Sequence, residues 1–237
     1  MQLDPQEWLQ IEMLSGAAVE PQTLELFARL LRPGDTMIDV GAHVGLHALV
    51  SARLVGPGGR VLAVEPQPYN CERTMTNAAA NGFRNIHVVC AAAGAESGTV
   101  VLRQQTGTDK ARLTLTGEGV NDTGLTFEVP VVRLDELARR HSLQHVRLLK
   151  IDVEGFEPEV LAGARELLAN LDNLVIEILP SGDDVRVGRM LDLIESAGFE
   201  FKSVTGAPWR RGEKLLESNL WACRTEASAH RETPVAS

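Results

Sequence analysis

The chain has 237 residues and a formal net charge of −9, and its 23 Lys and Arg residues are scattered through both halves. Binding to nucleic-acid phosphates calls for clustered basic residues, so this distribution argues against a nucleic-acid surface and favours neutral or cationic ligands. The 3 cysteines are widely spaced and form no C-x-x-C pair, which indicates neither a disulfide framework nor a thiolate metal site. No apolar run is long enough to span a membrane, and the first residues do not resemble a signal peptide. We therefore expect a cytoplasmic protein that does not bind membranes.

The apolar pattern alternates between short strand-like runs and segments with helical spacing, which predicts an α/β, Rossmann-like, doubly wound sheet. Ligands of such sheets bind at the carboxyl ends of the strands where the winding reverses, so the chemistry is expected there. The predicted central strands are residues 35–40, 60–65, 85–90, 146–152 and 173–179. The predicted helices are an N-terminal helical segment within residues 1–31, then residues 45–55, 68–81, 156–168 and 183–197.

Two segments depart from this alternation. Residues 97–132 contain β-rich pieces between Gly-, Thr- and Asn-rich turns, which predicts an antiparallel insertion that forms a rim of the site. Residues 199–204 and 217–224 are predicted to form a closing hairpin at one side of the sheet. The tail, 225–237, has no apolar periodicity and is predicted to be disordered. We expect one domain over residues 1–224.

The stretch "DVGAHVG" (39–45) follows a predicted strand and opens a helix, so the N–H groups of the first helical turn face the ligand edge. Its G-x-x-x-G spacing differs from the G-x-G-x-x-G of a dinucleotide site. Glu65 ends the next strand, where a carboxylate can accept hydrogen bonds from both hydroxyls of an adenosine ribose. The alternative is that Glu65 is a solvated strand end.

His43 and His47 in the same stretch are spaced as two zinc ligands on one helical turn would be. A catalytic zinc needs a third protein ligand, and Val44 stands where a zincin has its Glu. We therefore expect His43 to line the ligand pocket and His47 to pack beside the first helical turn.

Four motifs in this order resemble the FkbM-type S-adenosylmethionine-dependent methyltransferases. They are "RPGDTMIDVGAHVG" (32–45), "VEPQP" (64–68), "VVRLDEL" (131–137) and "LLKIDVEGFEPEVL" (149–161). The resemblance implies a class I methyltransferase fold, with about seven strands of which the last is antiparallel. It also implies methyl transfer, usually to a hydroxyl of a natural product or sugar. The implied cofactor residues are Asp39, Gly41, Ala42 and Gly45 at the methionine part and Glu65 at the ribose. His43 and Pro66 are expected to belong to the same cofactor site. His43 stands where the family usually has Asn.

Three acids are expected to share the acceptor side of the crevice. Asp152 and Glu154 follow an apolar strand, and Glu177 interrupts another, where an unpaired buried charge would be costly. Carboxylates there can accept the hydroxyl proton during transfer, and Asp152 with Glu177 could instead bind Mg²⁺ to lower the pKa of the acceptor. The alternatives are that Glu177 pairs with Lys150 and that Glu154 caps the next helix.

Two further features bear on these predictions. Asp135 is predicted to be an ordinary N-cap. A short-chain-type NAD(P)-binding oxidoreductase would need Tyr-x-x-x-Lys, but the only tyrosine, Tyr69, is followed four residues later by Arg73. A second alternative function is that of a non-catalytic binding module with the same fold. The reading that the residues favour is O-methylation of a small-molecule or glycan acceptor.

Overall fold

The computed structural model describes Met1 and residues 19–105, 113–114, 122–178, 185–215 and 218–224. The predicted disordered tail, and residues 2–18 of the predicted N-terminal helical segment, lie outside the described residues. Within them, no helix combines the length and the apolar character that crossing a membrane requires.

The described chain forms a main sheet, a smaller second sheet and helices on both faces of the main sheet. The strands are β1 (Thr36–Val40), β2 (Arg60–Glu65), β3 (Ile86–Cys90), β4 (Ala92–Ala93), β5 (Gly98–Gln105), β6 (Leu113–Thr114), β7 (Asp122–Val132), β8 (Val146–Ile151), β9 (Leu171–Glu177), β10 (Phe199–Ser203) and β11 (Asn219–Arg224). The helices are α1 (Pro21–Leu30), α2 (Leu46–Val55), α3 (Pro68–Ala80), α4 (Leu134–Arg140), α5 (Glu157–Ala162), α6 (Arg165–Ala169) and α7 (Val185–Ser196).

The main sheet has the strand order β10-β11-β9-β8-β1-β2-β3. Strand β11 runs antiparallel to both of its neighbours, while the pairs from β9 to β3 are parallel. The order reverses between β1 and β8, which are adjacent although they are far apart in sequence. This is the doubly wound class I methyltransferase fold that the sequence predicts.

Both faces of the main sheet are buried, because alternate residues of each strand point into different apolar layers. Ile38 and Leu62 pack with residues of α4, α5, α6 and α7. Met37 and Leu148 pack on the other face with residues of α1 and α2. The near-continuous apolar runs of these strands follow from this burial.

The predicted β-rich insertion is confirmed as a separate sheet of order β4-β7-β5-β6. Its main pair, β5 and β7, is antiparallel, with a shift in register between Arg103 and Gln105. The short strand β4 joins β7 in a parallel arrangement and follows β3 directly. The insertion is therefore anchored next to the carboxyl end of the main sheet.

Two predictions about helices are wrong. The helix predicted over residues 156–168 is split into α5 and α6. The chain bends at Gly163, which lies so close to the carbonyl oxygen of Gly94 that a Cβ there would overlap it. Asp135 is not the N-cap of α4, a position that Arg133 occupies. Its carboxylate instead accepts hydrogen bonds from the backbone N–H groups of Glu166 and Leu167, at 3.0 and 2.9 Å, in the first turn of α6.

Candidate active site

The loop between β1 and α2 is held in a strained conformation against its neighbours. Gly41 and Gly45 have positive φ angles of 82° and 91°. A Cβ on Gly41 would overlap the backbone carbonyl of Asp152, and one on Gly45 would lie 2.9 Å from the Thr74 side chain. Glycine is therefore needed at both positions, and the loop is fixed against the end of β8 and against α3.

His43 also adopts a left-handed conformation, with φ 50°. Among residues other than glycine, Asn, Asp and His are those enriched in this conformation, so His can replace Asn without changing the loop. The backbone N–H of His43 donates to Glu65 Oε2 at 2.9 Å, and its carbonyl accepts from the Thr74 hydroxyl at 2.9 Å. The backbone of His43 thus ties the loop to β2 and α3. A role for its imidazole toward a ligand stays a prediction.

Glu65 is only 5% exposed, so the alternative of a solvated strand end is wrong. Besides the His43 N–H, its carboxylate accepts from the Gln67 N–H at 3.0 Å and from Asn70 Nδ2 at 3.1 Å. Burial raises the pKa of Glu65, and these three hydrogen bonds oppose that shift. A carboxylate offers about four lone-pair sites, so roughly one remains for a ligand. The sequence alone could not reveal that three donors of the protein already bind the Glu65 carboxylate.

Asp39 is fully buried at the carboxyl end of β1, with 0% exposure. Neither of its carboxylate oxygens accepts a hydrogen bond from any part of the chain that the structure describes. Burial raises the pKa of Asp39, while the nearby charges of His47 and Lys150 counteract the shift. A buried acceptor without a donor is costly, and a positively charged ligand group beside Asp39 would satisfy it.

An apolar cavity of about 210 Å³ lies beside the loop, on the face of β1 and β2 to which Val40 and Val64 belong. Its walls come from the ends of β1, β2 and β3, from the residues after β8 and from the insertion, whose strands β5 and β7 contribute as the predicted rim. The lining includes Val40, Pro66, Ala91, Leu102, Val131 and Phe156.

Lys150 and Asp152 form an ion pair at the end of β8, with Lys150 Nζ 2.8 Å from Asp152 Oδ2. Lys150 is only 1% exposed. The predicted alternative, in which Lys150 pairs with Glu177, is wrong. Burial by itself raises the pKa of Asp152, but the charge and the hydrogen bond of Lys150 bring the pKa below its ordinary value. Asp152 is therefore an ionised carboxylate at neutral pH.

The pKa of Glu177, at the end of β9, is shifted in the opposite direction from that of Asp152. Burial, the negative charges of Asp152 and Glu154 and a hydrogen bond with Asp152 raise the pKa of Glu177 to about 9. The structure thus brings the three predicted acids together, and it shifts the pKa values of Asp152 and Glu177 in opposite directions. When neighbouring acids have pKa values pushed apart, the ionised one suits proton acceptance and the neutral one suits hydrogen-bond donation.

The loop after β8 is held by Glu157, which sequence reasoning did not select. Its Oε1 accepts from the backbone N–H groups of Val153 and Gly155 at 3.0 and 3.1 Å. Glu154 has a left-handed φ of 59°, and the N-cap of α5 is Phe156 without a capping side chain. The alternative that Glu154 caps this helix is therefore wrong. An acid at the first position of α5 was the available sequence signal for Glu157.

Glu20 also joins the charged group and had no sequence signal. Its Oε2 accepts from Asn219 Nδ2 at 2.7 Å and lies 3.4 Å from His47 Nε2, in the first turn of α2. Burial alone would raise the pKa of Glu20, but the contact with His47 and the charge of Lys150 lower it to about 2. His47 is thus engaged with a carboxylate, and its ring packs 5.5 Å from that of Phe27. Contacts between distant segments place both residues beside Lys150.

The site does not fit a metal ion. Across the described residues, no group of three or more His, Cys, Asp and Glu side chains has the arrangement that a metal site needs, and Glu154 does not complete one with Asp152 and Glu177. A divalent cation at Asp152 and Glu177 would also have to displace the Lys150 ammonium, which holds Asp152.

Comparison with known proteins identifies the family. The family model described as the methyltransferase FkbM domain matches residues 39–201, which includes the loop, Glu65 and all three acids. The chain belongs to the FkbM methyltransferase family. As an FkbM methyltransferase it uses S-adenosylmethionine as its methyl donor. The buried unpartnered Asp39, the glycine loop, Glu65 and the apolar cavity fit the ammonium, methionine, ribose and adenine parts of that cofactor.

The individual relatives are methyltransferases, and one of them is an FkbM protein. The chain is 31% identical over 199 residues to the 31-O-demethyl-FK506 methyltransferase FkbM of Streptomyces tacrolimicus, covering 71% of this chain and 74% of that protein. A protein-L-isoaspartate O-methyltransferase of Ignicoccus hospitalis is 42% identical, but over only 59 residues, or 25% of this chain and 28% of that protein.

Solved structures share the fold. A methyltransferase FkbM from Methylobacillus flagellatus matches with a TM-score of 0.51 and 18% identity, covering 84% of this chain and 50% of that chain. An S-adenosylmethionine-dependent O-methyltransferase from Thermotoga maritima matches with a TM-score of 0.51 and 14% identity, covering 90% of this chain and 69% of that chain. Both likenesses show the class I methyltransferase fold of this FkbM chain.

Proposed function

We propose that the protein methylates a hydroxyl oxygen of a small molecule, sugar or natural product. The observation that carries the proposal is the ionised Asp152 held by Lys150 beside the protonated Glu177. This arrangement stands at the end of β8, next to β1, which delivers the glycine loop. An ionised carboxylate there can take the proton that a hydroxyl loses when it is methylated.

Three parts of the chain would hold the cofactor. Asp39 would accept hydrogen bonds from the ammonium of its methionine part, and the loop from Gly41 to Gly45 would lie against the same part. Glu65 would bind one ribose hydroxyl through its remaining acceptor position. The apolar cavity beside Pro66 would take the adenine, because a flat apolar ring suits walls of Val, Ala and Phe.

When bound, S-adenosylmethionine would supply an electrophilic methyl group on its positively charged sulfur, and S-adenosylhomocysteine would be the leaving group when the S–C bond breaks. Asp152 would hold the acceptor hydroxyl and accept its proton as the new O–C bond forms. Lys150 keeps the Asp152 carboxylate in a fixed place and ionised. Glu177 in its neutral form would donate a hydrogen bond to Asp152 and so orient it.

Two observations support an oxygen acceptor that is neutral or cationic. The FkbM relative of Streptomyces tacrolimicus is named for a 31-O-demethyl substrate. The net charge of −9 would disfavour polyanionic acceptors such as nucleic acids.

The test is methyl transfer from isotopically labelled S-adenosylmethionine to a panel of macrolides, sugars and phenols, with RNA and simple amines included. Product mass and fragmentation would locate the label. The proposal predicts O-methyl products and no labelled RNA, and it predicts that Asp152→Asn loses the activity. Label on nitrogen, carbon or RNA, with every hydroxyl compound unmodified, would contradict it.

A further inference from the structure

Two of the three cysteines meet beside the carboxylate that is proposed to hold the ribose. Cys71 lies in the first turn of α3 and is 1% exposed, and its thiol donates to the backbone carbonyl of Glu65 at 3.1 Å. Cys90 ends β3, is exposed, and is the cross-strand partner of Glu65. The two sulfurs therefore approach the same residue from a helix and from a neighbouring strand.

The direction of the strands places both thiols on one face of the sheet. Ala63 belongs to the apolar layer that includes α1 and α2, and Val88, its partner on β3, packs against the same layer. Glu65 and Cys90 follow these two residues at the two-residue period of a strand and so share that face. The Cys71 thiol, held at the Glu65 carbonyl, therefore lies beside Cys90, the cross-strand partner of Glu65. The interaction between the two thiols adds to the rise in the pKa of the Cys71 thiol.

The simplest alternative is that the two thiols only fill space, as buried free cysteines usually do. Exposure distinguishes this pair, because Cys90 is exposed while Cys71 is buried. The third cysteine, Cys223, lies on β11 near Glu200 and is buried. It therefore provides a natural comparison within the same chain.

We propose that Cys71 and Cys90 form a reversible redox pair, which small-molecule disulfides such as oxidised glutathione convert into an intramolecular disulfide that weakens cofactor binding. The consequence for the cofactor rests on the proposed role of Glu65. The formation of the disulfide does not.

The chemistry is two thiol–disulfide exchanges. Cys90 loses its proton, and its sulfur attacks one sulfur of oxidised glutathione, so a mixed disulfide forms and one glutathione thiolate leaves and takes up a proton. Cys71 then loses its proton, and its sulfur displaces the second glutathione from Cys90. Two protein thiols are oxidised, and one glutathione disulfide is reduced to two glutathione molecules. Cys90 attacks first because it is exposed, whereas Cys71 is buried and attacks second, in an intramolecular step.

The disulfide would disturb the cofactor site from two sides. Bonded sulfurs lie about 2.05 Å apart, so the Cys71 sulfur would leave its hydrogen bond to the Glu65 carbonyl. The strand end at Cys90 would move as well, and Ala91 and Ala92, which follow it, line the apolar cavity. Both shifts act on the groups proposed to hold the ribose and adenine.

The experiment treats the full chain with oxidised glutathione and then measures intact mass and S-adenosylmethionine affinity by calorimetry, without any methyl acceptor. We expect a loss of two hydrogens without retained glutathione, and peptide mapping should join Cys71 to Cys90. Affinity should fall roughly fivefold or more, equivalent to at least one lost hydrogen bond, and should recover after dithiothreitol.

Cys223→Ser should behave as the wild type does, whereas Cys90→Ser should keep its affinity after the same treatment. Stable glutathione adducts, or a bond that involves Cys223, would overturn the redox pair. A mapped Cys71–Cys90 bond with unchanged affinity would overturn the effect on the cofactor. If the reduced wild type and reduced Glu65→Ala bind S-adenosylmethionine equally well, the proposed role of Glu65 is wrong. The mass measurement then still decides whether the two thiols form a disulfide.

Discussion

The Lys150 ammonium, on β8, and the Asp152 carboxylate, just after the end of that strand, lie 2.8 Å apart. Lys150 is almost completely buried, so its charge is poorly screened and acts strongly on Asp152. The pair keeps Asp152 ionised although it is also buried. The site therefore has a fixed cation of its own beside the carboxylate that would accept the proton.

Lys150→Met is expected to move the acid limb of the transfer rate to higher pH. Lys150 lowers the pKa of Asp152, so its removal raises that pKa, and the ionised form is lost at a higher pH as the solution is acidified. The measurement is the pH profile of transfer under saturating S-adenosylmethionine. The control is Lys202→Met, which removes a cation paired with Glu200 away from the site. An acid limb that coincides with that of the wild type would show that Lys150 does not set the protonation of Asp152.

Glu177→Gln is expected to change how stability depends on pH. The pKa of Glu177 is raised to about 9 in the folded protein from an ordinary value of 4.5, so the folded state holds its proton more tightly than the unfolded state does. The resulting stability is fully present below about pH 4.5 and is lost as the pH rises toward and through about 9.

The melting temperature of the wild type should therefore fall relative to that of Glu177→Gln as the pH rises from 5 to 9, a range set by the pKa shift of Glu177. The variant should also lack a basic limb near pH 9 in the transfer rate, which wild-type Glu177 would impose. If the melting temperatures of the wild type and of Glu177→Gln change in parallel with pH across this range, Glu177 is already ionised at neutral pH.

The sequence predicted the main sheet because its strands are buried on both faces and read as compact apolar runs. It also located Glu65, Asp152 and Glu177, since each ends, follows or interrupts such a run, whereas Asp39 was implied by the resemblance to the FkbM family. It could not predict which acid would hold Lys150, because both are within reach of its long side chain.

Glu20, His47 and Asn219 show the same limit more clearly. Glu20 and Asn219 are 199 residues apart in sequence, and only the packed fold brings them together. The split between α5 and α6 was also hidden, because it depends on the approach of Gly94 to Gly163 and not on local helix propensity. Patterns of one chain reveal which residues stand at strand ends, whereas pairings across the fold need coordinates.

Glu65→Ala is expected to weaken S-adenosylmethionine binding. Losing one charge-assisted hydrogen bond to the ribose costs about 1.5–3 kcal/mol, which corresponds to roughly a tenfold to hundredfold weaker affinity by calorimetry. The variant also removes the acceptor that holds the His43 N–H, so the loop should loosen. Glu72→Ala is the matched control, because Glu72 is an exposed acid of α3. Equal affinity in both variants would remove Glu65 from the cofactor site.

Asp39→Asn is expected to separate stability from binding. Both oxygens of Asp39 lack a donor within the described chain, so removing the charge should not lower the melting temperature of the protein without cofactor. Binding of S-adenosylmethionine should weaken roughly tenfold or more, because a charge-assisted hydrogen bond to its ammonium is lost. A large fall in melting temperature with unchanged affinity would mean that Asp39 serves the fold and not the cofactor.

The most direct test of the central claim is the transfer rate of Asp152→Asn, measured together with its affinity for S-adenosylmethionine. The substitution keeps the shape of the side chain and removes the carboxylate that would accept the proton. The account predicts that turnover falls roughly a hundredfold or more while cofactor affinity stays within about twofold, the pattern of an interaction made chiefly in the transition state. It also predicts that the wild type keeps full activity after treatment with a chelator, because Lys150 supplies the positive charge at the site. Wild-type turnover in Asp152→Asn, or chelated protein whose activity only Mg²⁺ restores, would contradict the account.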